Sequence, residues 1–88
     1  MQAQLKKVYV QRPPRQWINV ETIVEDGVGR QLDSRIWNIS DGGFMAECEV
    51  KLPIGSEVVV ELPGRGKVRA EIRWAVGWRF GAMILGEA

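Results

Sequence analysis

Residues 67–76 alternate between apolar and charged side chains with a period of two. The apolar set is Val68, Ala70, Ile72, Trp74 and Val76, and the charged set is Lys67, Arg69, Glu71 and Arg73. Such alternation is typical of a β-strand that turns one face to a core and the other to water. The segment therefore predicts a strand whose two edges must be paired or covered.

Five further segments have the composition or the alternation of short strands, and turn-rich residues separate them. They cover residues 17–25, 30–40, 44–50, 57–62 and 78–84. The alternation inside the second of these is interrupted, which predicts a β-bulge or a twist near Ile36 and Trp37. No segment has the spacing of an amphipathic helix. We therefore predict an all-β fold, a six-stranded antiparallel barrel with little or no helix, because closure removes exposed edges.

Length and residue types exclude most enzyme classes. The chain has 88 residues, enough for one small domain with its own core. It has no histidine and a single cysteine, Cys48, so one chain cannot form a disulfide, a zinc site of the usual kind or a His-based triad. The first residues lack the apolar core of a signal peptide, and no apolar run is long enough to span a membrane. We expect a cytoplasmic protein that is no enzyme, holds no metal or cofactor, and does not insert into membranes.

Basic side chains are concentrated at the N-terminus. Residues 1–15 carry four basic side chains and no acidic one, whereas the rest of the chain has a net charge of −3. The prolines between Arg12 and Arg15 favour a polyproline-like segment, whose repeat of three projects both arginines from one side, ~9 Å apart. We interpret residues 1–10 as an N-terminal arm and residues 11–88 as the domain. The two arginines predict an anion clamp, with a solvated linker as the alternative.

Three polar or small residues mark the end of the second predicted strand and the turn that follows it. Asn38 and Ser40 are two residues apart, so on an extended backbone they point to one face and can hold one ligand. Gly43, at the end of the turn, lets a bulky group approach the backbone. An ordinary strand-to-turn junction, in which Asn and Ser bond their own backbone, would show the same pattern.

The order of these features resembles the PilZ domain family over about residues 11–85. Members of that family are bacterial receptors for cyclic di-GMP, which they clasp with an R-x-x-x-R loop and a [D/N]-x-S-x-x-G motif. The second motif matches at Asn38, Ser40 and Gly43. The first matches in part: Arg15 is its last arginine, Gln11 holds its first position, and Arg12 lies beside it. The resemblance implies a receptor that relays to an unidentified protein partner and binds cyclic di-GMP through Arg12, Arg15, Asn38, Ser40 and Gly43.

The four tryptophans have different expected roles. By strand parity, Trp74 and Trp78 face inward and are predicted to pack in the core. Trp17 and Trp37 are better candidates to lie near a base of the ligand. A guanidinium can fork onto a phosphate, pair with the guanine edge or stack on its face, so arginine suits every part of cyclic di-GMP.

Two other functions fit a small barrel. One is a PilZ-like interaction module with weak or no nucleotide binding. The other is a barrel that binds single-stranded nucleic acid through exposed aromatics and three basic residues, Arg69, Arg73 and Arg79. That function needs aromatic side chains on the basic face, and strand parity puts Trp74 and Phe80 on the opposite one. We therefore expect no DNA or RNA partner.

Overall fold

The computed structural model describes residues 16–88, which form a closed barrel of six antiparallel strands. The strands are β1 (Gln16–Glu25), β2 (Gln31–Ile39), β3 (Gly43–Cys48), β4 (Glu57–Leu62), β5 (Gly66–Val76) and β6 (Arg79–Glu87). Their order around the barrel is β1-β2-β3-β6-β5-β4. The described part contains no helix, and so none that could cross a bilayer. The predicted all-β barrel is confirmed, whereas Arg12, Arg15 and the arm of residues 1–10 lie outside the described residues.

Because side chains alternate along each strand, one set of apolar side chains from every strand faces the inside of the barrel. The largest fully buried side chains are Phe80, Ile36, Leu62, Ile72, Val24, Val58 and Val60. Phe44 meets Phe80 edge to face, with ring centroids 6.0 Å apart and ring planes at 78°. This geometry is the one that aromatic quadrupoles favour, and it fixes β3 against β6 at the centre of the core.

Residues 16–88 contain four β-bulges, of which one is at Leu85 of β6 and the other three lie at the same level of the barrel. β1 has an extra residue against β2 between Trp17 and Val20, and β2 has one at Trp37 against β3. β5 has one at Arg73 against β6. The bulge predicted near Ile36 and Trp37 is therefore confirmed. Bulges bend a strand and re-aim its side chains, and they are common beside binding sites.

Two tryptophans predicted to lie in the core do not lie there. The bulge at Arg73 shifts the parity of β5, so Trp74 is 40% exposed and Val76 is exposed as well. Trp78 is 61% exposed because it belongs to the turn between β5 and β6 and not to β6 itself. The prediction of an inward Trp74 was wrong because it assumed an uninterrupted ladder.

Candidate functional site

The turn between β2 and β3 is held by its own backbone and by β6. The Ser40 amide donates to the carbonyl of Gly43 at 2.9 Å, and the Ser40 hydroxyl donates to the same oxygen at a long 3.4 Å. The amide of Ile84 donates to the carbonyl of Gly42 at 2.9 Å. The backbone of the turn is thus fixed, while the Ser40 hydroxyl makes only a weak bond that a ligand oxygen could replace.

An arginine from another turn also forms hydrogen bonds with the turn between β2 and β3. Arg65 follows β4, and its guanidinium donates to the carbonyls of Ser40 at 2.6 Å and Asp41 at 3.1 Å. The Asp41 carboxylate is exposed and lies 3.8 Å from the same guanidinium. Because a planar guanidinium presents several donors in a fixed geometry, one side chain can hold two successive carbonyls. Nothing in the local sequence of the turn indicates this contact.

Asn38 and Gly43 help to build the wall of the site. Asn38 is only 3% exposed, and its side-chain nitrogen lies 3.9 Å from the sulfur of Met45. A Cβ atom added to Gly43 would come within 2.6 Å of the carbonyl oxygen of Ala82. Gly43 therefore allows β3 to approach β6 closely, which is a different role from leaving space for a purine.

A groove of about 550 Å³ opens beside the turn. Asn38, Ser40 and Gly43 line one side of it, so the structure brings the three predicted residues of the second motif together. Arg73 and Trp74 of β5 also line the groove, as does Trp17, which pairs with Asn38. Trp17 is 71% exposed, so a large aromatic surface is open to solvent here. The groove combines hydroxyl, guanidinium and indole groups in one place.

Sequence reasoning identified some of these side chains and missed others. Trp17 was a candidate to lie near a base, and it lines the groove. Trp37 was the other candidate; it does not line the groove, and its buried indole nitrogen makes no hydrogen bond within residues 16–88. Arg73 was named only for the nucleic-acid alternative, and Trp74 was assigned to the core because the bulge in β5 was not foreseen. The outward glycine opposite Trp74, Gly81, was the available signal, since aromatic side chains often cover such glycines.

A larger depression of about 800 Å³ lies elsewhere on the barrel, where β1, β2 and β3 meet Trp78. Four carboxylates line it: Glu21, Asp33, Glu47 and Glu49. Arg35 is the only basic side chain in its lining and already pairs with Glu21 at 2.9 Å. An anionic ligand would be repelled from this surface, so charge favours the smaller groove for a phosphate. Residues 16–88 hold no cluster of acidic, cysteine or histidine side chains arranged for a metal ion.

The fold and the groove together define a small closed β-barrel with an aromatic and arginine-lined depression beside one strand turn. A scan against protein-family models finds no family that matches the chain. A search of curated proteins finds no match either. The likeness to PilZ domains therefore rests on the two motifs and stays a prediction.

Proposed function

We propose that this protein is a bacterial, cytoplasmic receptor domain that binds cyclic di-GMP and relays the signal to a protein partner. The supporting observation is the pairing of the first described strand. Gln16, at the start of β1, pairs with Ile39 at the end of β2. Arg15 directly precedes Gln16 in the sequence, and Ser40 directly follows Ile39. This closeness along the chain to a paired position supports the proposal that both motifs contribute to one ligand site.

The chemistry of the groove suits a cyclic dinucleotide. Arg12 and Arg15 supply the fork geometry that phosphodiesters accept, and Ser40 supplies a hydroxyl whose present bond is weak. Buried Asn38 and closely packed Gly43 act by shaping the wall against which the ligand lies. The protein catalyses nothing in this proposal, in which it acts by binding the ligand and relaying the signal.

A barrel that binds single-stranded nucleic acid is the second candidate. The observation that favours it is the exposure of Trp74 beside Arg73, because stacking aromatics next to a cation are what such a surface needs. Against it, residues 16–88 carry a net charge of −3, which disfavours a long polyanion. A short ligand with two negative charges is repelled far less by this net negative charge than a long polyanion is.

Calorimetric titration with cyclic di-GMP tests the proposal, with GTP and a short oligonucleotide as comparison ligands. Arg15→Ala and Ser40→Ala should each weaken cyclic di-GMP binding by about ten-fold or more, since a hydrogen bond involving a charged group contributes ~1.5–3 kcal/mol. Matched controls are Arg69→Ala, which removes the same charge outside the groove, and Ser56→Ala. Ser56 donates to the carbonyl of Pro53 within another turn at 2.6 Å.

The comparison ligands separate the candidates. Binding of the oligonucleotide in preference to cyclic di-GMP would favour the nucleic-acid barrel. No heat at high micromolar concentrations of either would overturn both and leave an interaction module without nucleotide. Equal losses in the variants and their controls would show that the predicted site is not where cyclic di-GMP binds.

A further inference from the structure

One row of paired residues crosses five strands of the barrel and ends in a tryptophan on each side. Trp17 pairs with Asn38, Asn38 with Met45, and Met45 with Gly81. Gly81 in turn pairs with Trp74. All five residues line the groove, and three of the four bulges begin or end at a member of this row. The bulges therefore turn this level of the barrel into a surface on which aromatic side chains face outward.

Trp74 is fixed in this row by the absence of a side chain at Gly81. A Cβ atom added to Gly81 would lie 2.0 Å from the indole nitrogen of Trp74 and 2.4 Å from its neighbouring ring carbon. The indole thus occupies the space directly over the backbone of β6. It forms a positioned platform, so a planar ligand that stacks on it does not first have to order the side chain.

Arg73 is the one arginine of residues 16–88 without a carboxylate within ion-pair distance. The other five pair with acidic side chains, at 2.7–3.8 Å: Arg30, Arg35, Arg65, Arg69 and Arg79. Arg73 instead donates to the sulfur of Met83 at 3.4 Å, and a thioether is a weak acceptor. An exposed guanidinium next to Trp74 is therefore available to a ligand.

We infer that Arg73 and Trp74, with Trp17 at the other end of the row, form a guanine-recognition subsite of the groove from residues that belong to neither sequence motif. A purine ring stacks on an indole of this row, and the guanidinium of Arg73 donates two hydrogen bonds to the O6 and N7 acceptors of guanine. Adenine presents an amino group where guanine has O6, and the pyrimidines offer a smaller ring to the indole. That the subsite holds a base of cyclic di-GMP rests on the proposed function. Its selectivity for guanine over other bases follows from Arg73 and the indoles of the row.

Two pairs of variants test the subsite by calorimetry with cyclic di-GMP, GMP, AMP and CMP. Trp74→Ala is matched by Trp78→Ala, which removes an exposed indole from the acidic depression. Arg73→Gln is matched by Arg69→Gln on the same strand, where the arginine pairs with Glu57. Trp74→Ala should weaken guanine nucleotides by about five-fold to a hundred-fold, as loss of one stacking platform does. Arg73→Gln should remove the preference for GMP over AMP, and both controls should bind like the unaltered protein.

A second variant tests the same row without deleting the indole. Gly81→Ala places a methyl group where the ring of Trp74 lies, so the indole must move. This change should weaken guanine binding in the same direction as Trp74→Ala, and circular dichroism will show whether the barrel remains folded. The near-ultraviolet signal of the tryptophans should change as well.

The outcomes separate the subsite from the proposed function. If cyclic di-GMP binds but Trp74→Ala and Arg73→Gln behave like their controls, the receptor stands and the subsite is overturned. If GMP binds with the expected variant effects while cyclic di-GMP does not exceed it, the subsite stands and the receptor fails. Equal affinity for GMP and CMP, or binding of neither GMP nor cyclic di-GMP, overturns the subsite.

Discussion

Replacing Gly43 with alanine separates two explanations for the glycine that ends the N-x-S-x-x-G motif. In one, the glycine leaves room for a ligand; in the other, it lets β3 pack against β6. The structure supports the second, because an added Cβ would lie 2.6 Å from the carbonyl oxygen of Ala82. That neighbour is backbone and cannot rotate away. The two strands would have to move apart by several tenths of an ångström where Gly43 pairs with Met83.

The cost of this change can be worked out from its parts. Forcing an extra methyl group into a packed region costs roughly 1–3 kcal/mol, and a weakened backbone hydrogen bond adds about 1 kcal/mol. Alanine reduces the freedom of the unfolded chain, which offsets about 0.4–1 kcal/mol. We expect a net loss of ~1–3 kcal/mol in the free energy of unfolding. For a domain of this size the midpoint of thermal unfolding should fall by roughly 5–20 °C.

Gly42→Ala is the matched control for this experiment. A Cβ added to Gly42 meets nothing within 4 Å, and its φ lies outside the left-handed region. That variant should unfold at or slightly above the temperature of the unaltered protein. Urea and thermal denaturation followed by circular dichroism measure both variants. If Gly43→Ala were as stable as Gly42→Ala and yet lost cyclic di-GMP binding, the packing explanation would be refuted and the glycine would serve the ligand.

Two further predictions concern charged side chains outside the groove. The Arg30 guanidinium, joined by the backbone amides of Arg30 and Val28, lowers the pKa of Asp26 from its ordinary 3.8 against an opposing effect of desolvation. The ionised Asp26 carboxylate therefore stabilises the folded protein above about pH 3.8, and this stabilisation is lost as the pH falls through the lowered pKa. Asp26→Asn removes the titrating group. In urea unfolding experiments between about pH 2 and 5, that variant should lose less stability on acidification than the unaltered protein. Arg65→Ala removes two hydrogen bonds to the backbone of the Ser40 turn and should cost about 1 kcal/mol, since the arginine is partly exposed. Arg65→Lys, which lacks the fork, should recover little of it in the same urea assay, and full recovery would argue that charge alone matters.

The barrel could be predicted because its strands alternate and because turns interrupt them at regular intervals. β4 begins and ends at the predicted residues, Glu57 and Leu62. The bulge in β2 was also visible, since Leu32 and Ile39 are both apolar although they have opposite parity, and both are buried. Where the local pattern alone decides whether a side chain faces the core or the solvent, the sequence predicts its orientation correctly.

The bulge in β5 could not be predicted from the alternation of residues along that strand. Residues 67–74 alternate without interruption, yet the strand gains an extra residue at Arg73 because of how it pairs with β6. The pairing depends on Gly81, which sits on the next strand and leaves space for an indole. A pattern confined to one strand cannot report the register of its neighbour, so Trp74 was predicted to face the core and instead faces the groove.

Charge, and not size, decides which of these two depressions in residues 16–88 suits an anion. The larger one is lined by four carboxylates and the smaller one by the unpaired Arg73. The sequence located the motif turn correctly, but the distribution of ion pairs could be seen only once the strands were placed side by side. Of the six arginines in residues 16–88, Arg30 pairs with Asp26 in its own turn, and four others pair with acidic residues from other strands or turns. The sixth, Arg73, lines the groove together with two exposed indoles. An aromatic anion can both pair with the free guanidinium of Arg73 and stack on an indole. The motif turn and the tryptophan row line the same groove, so both favour a ligand of this class there.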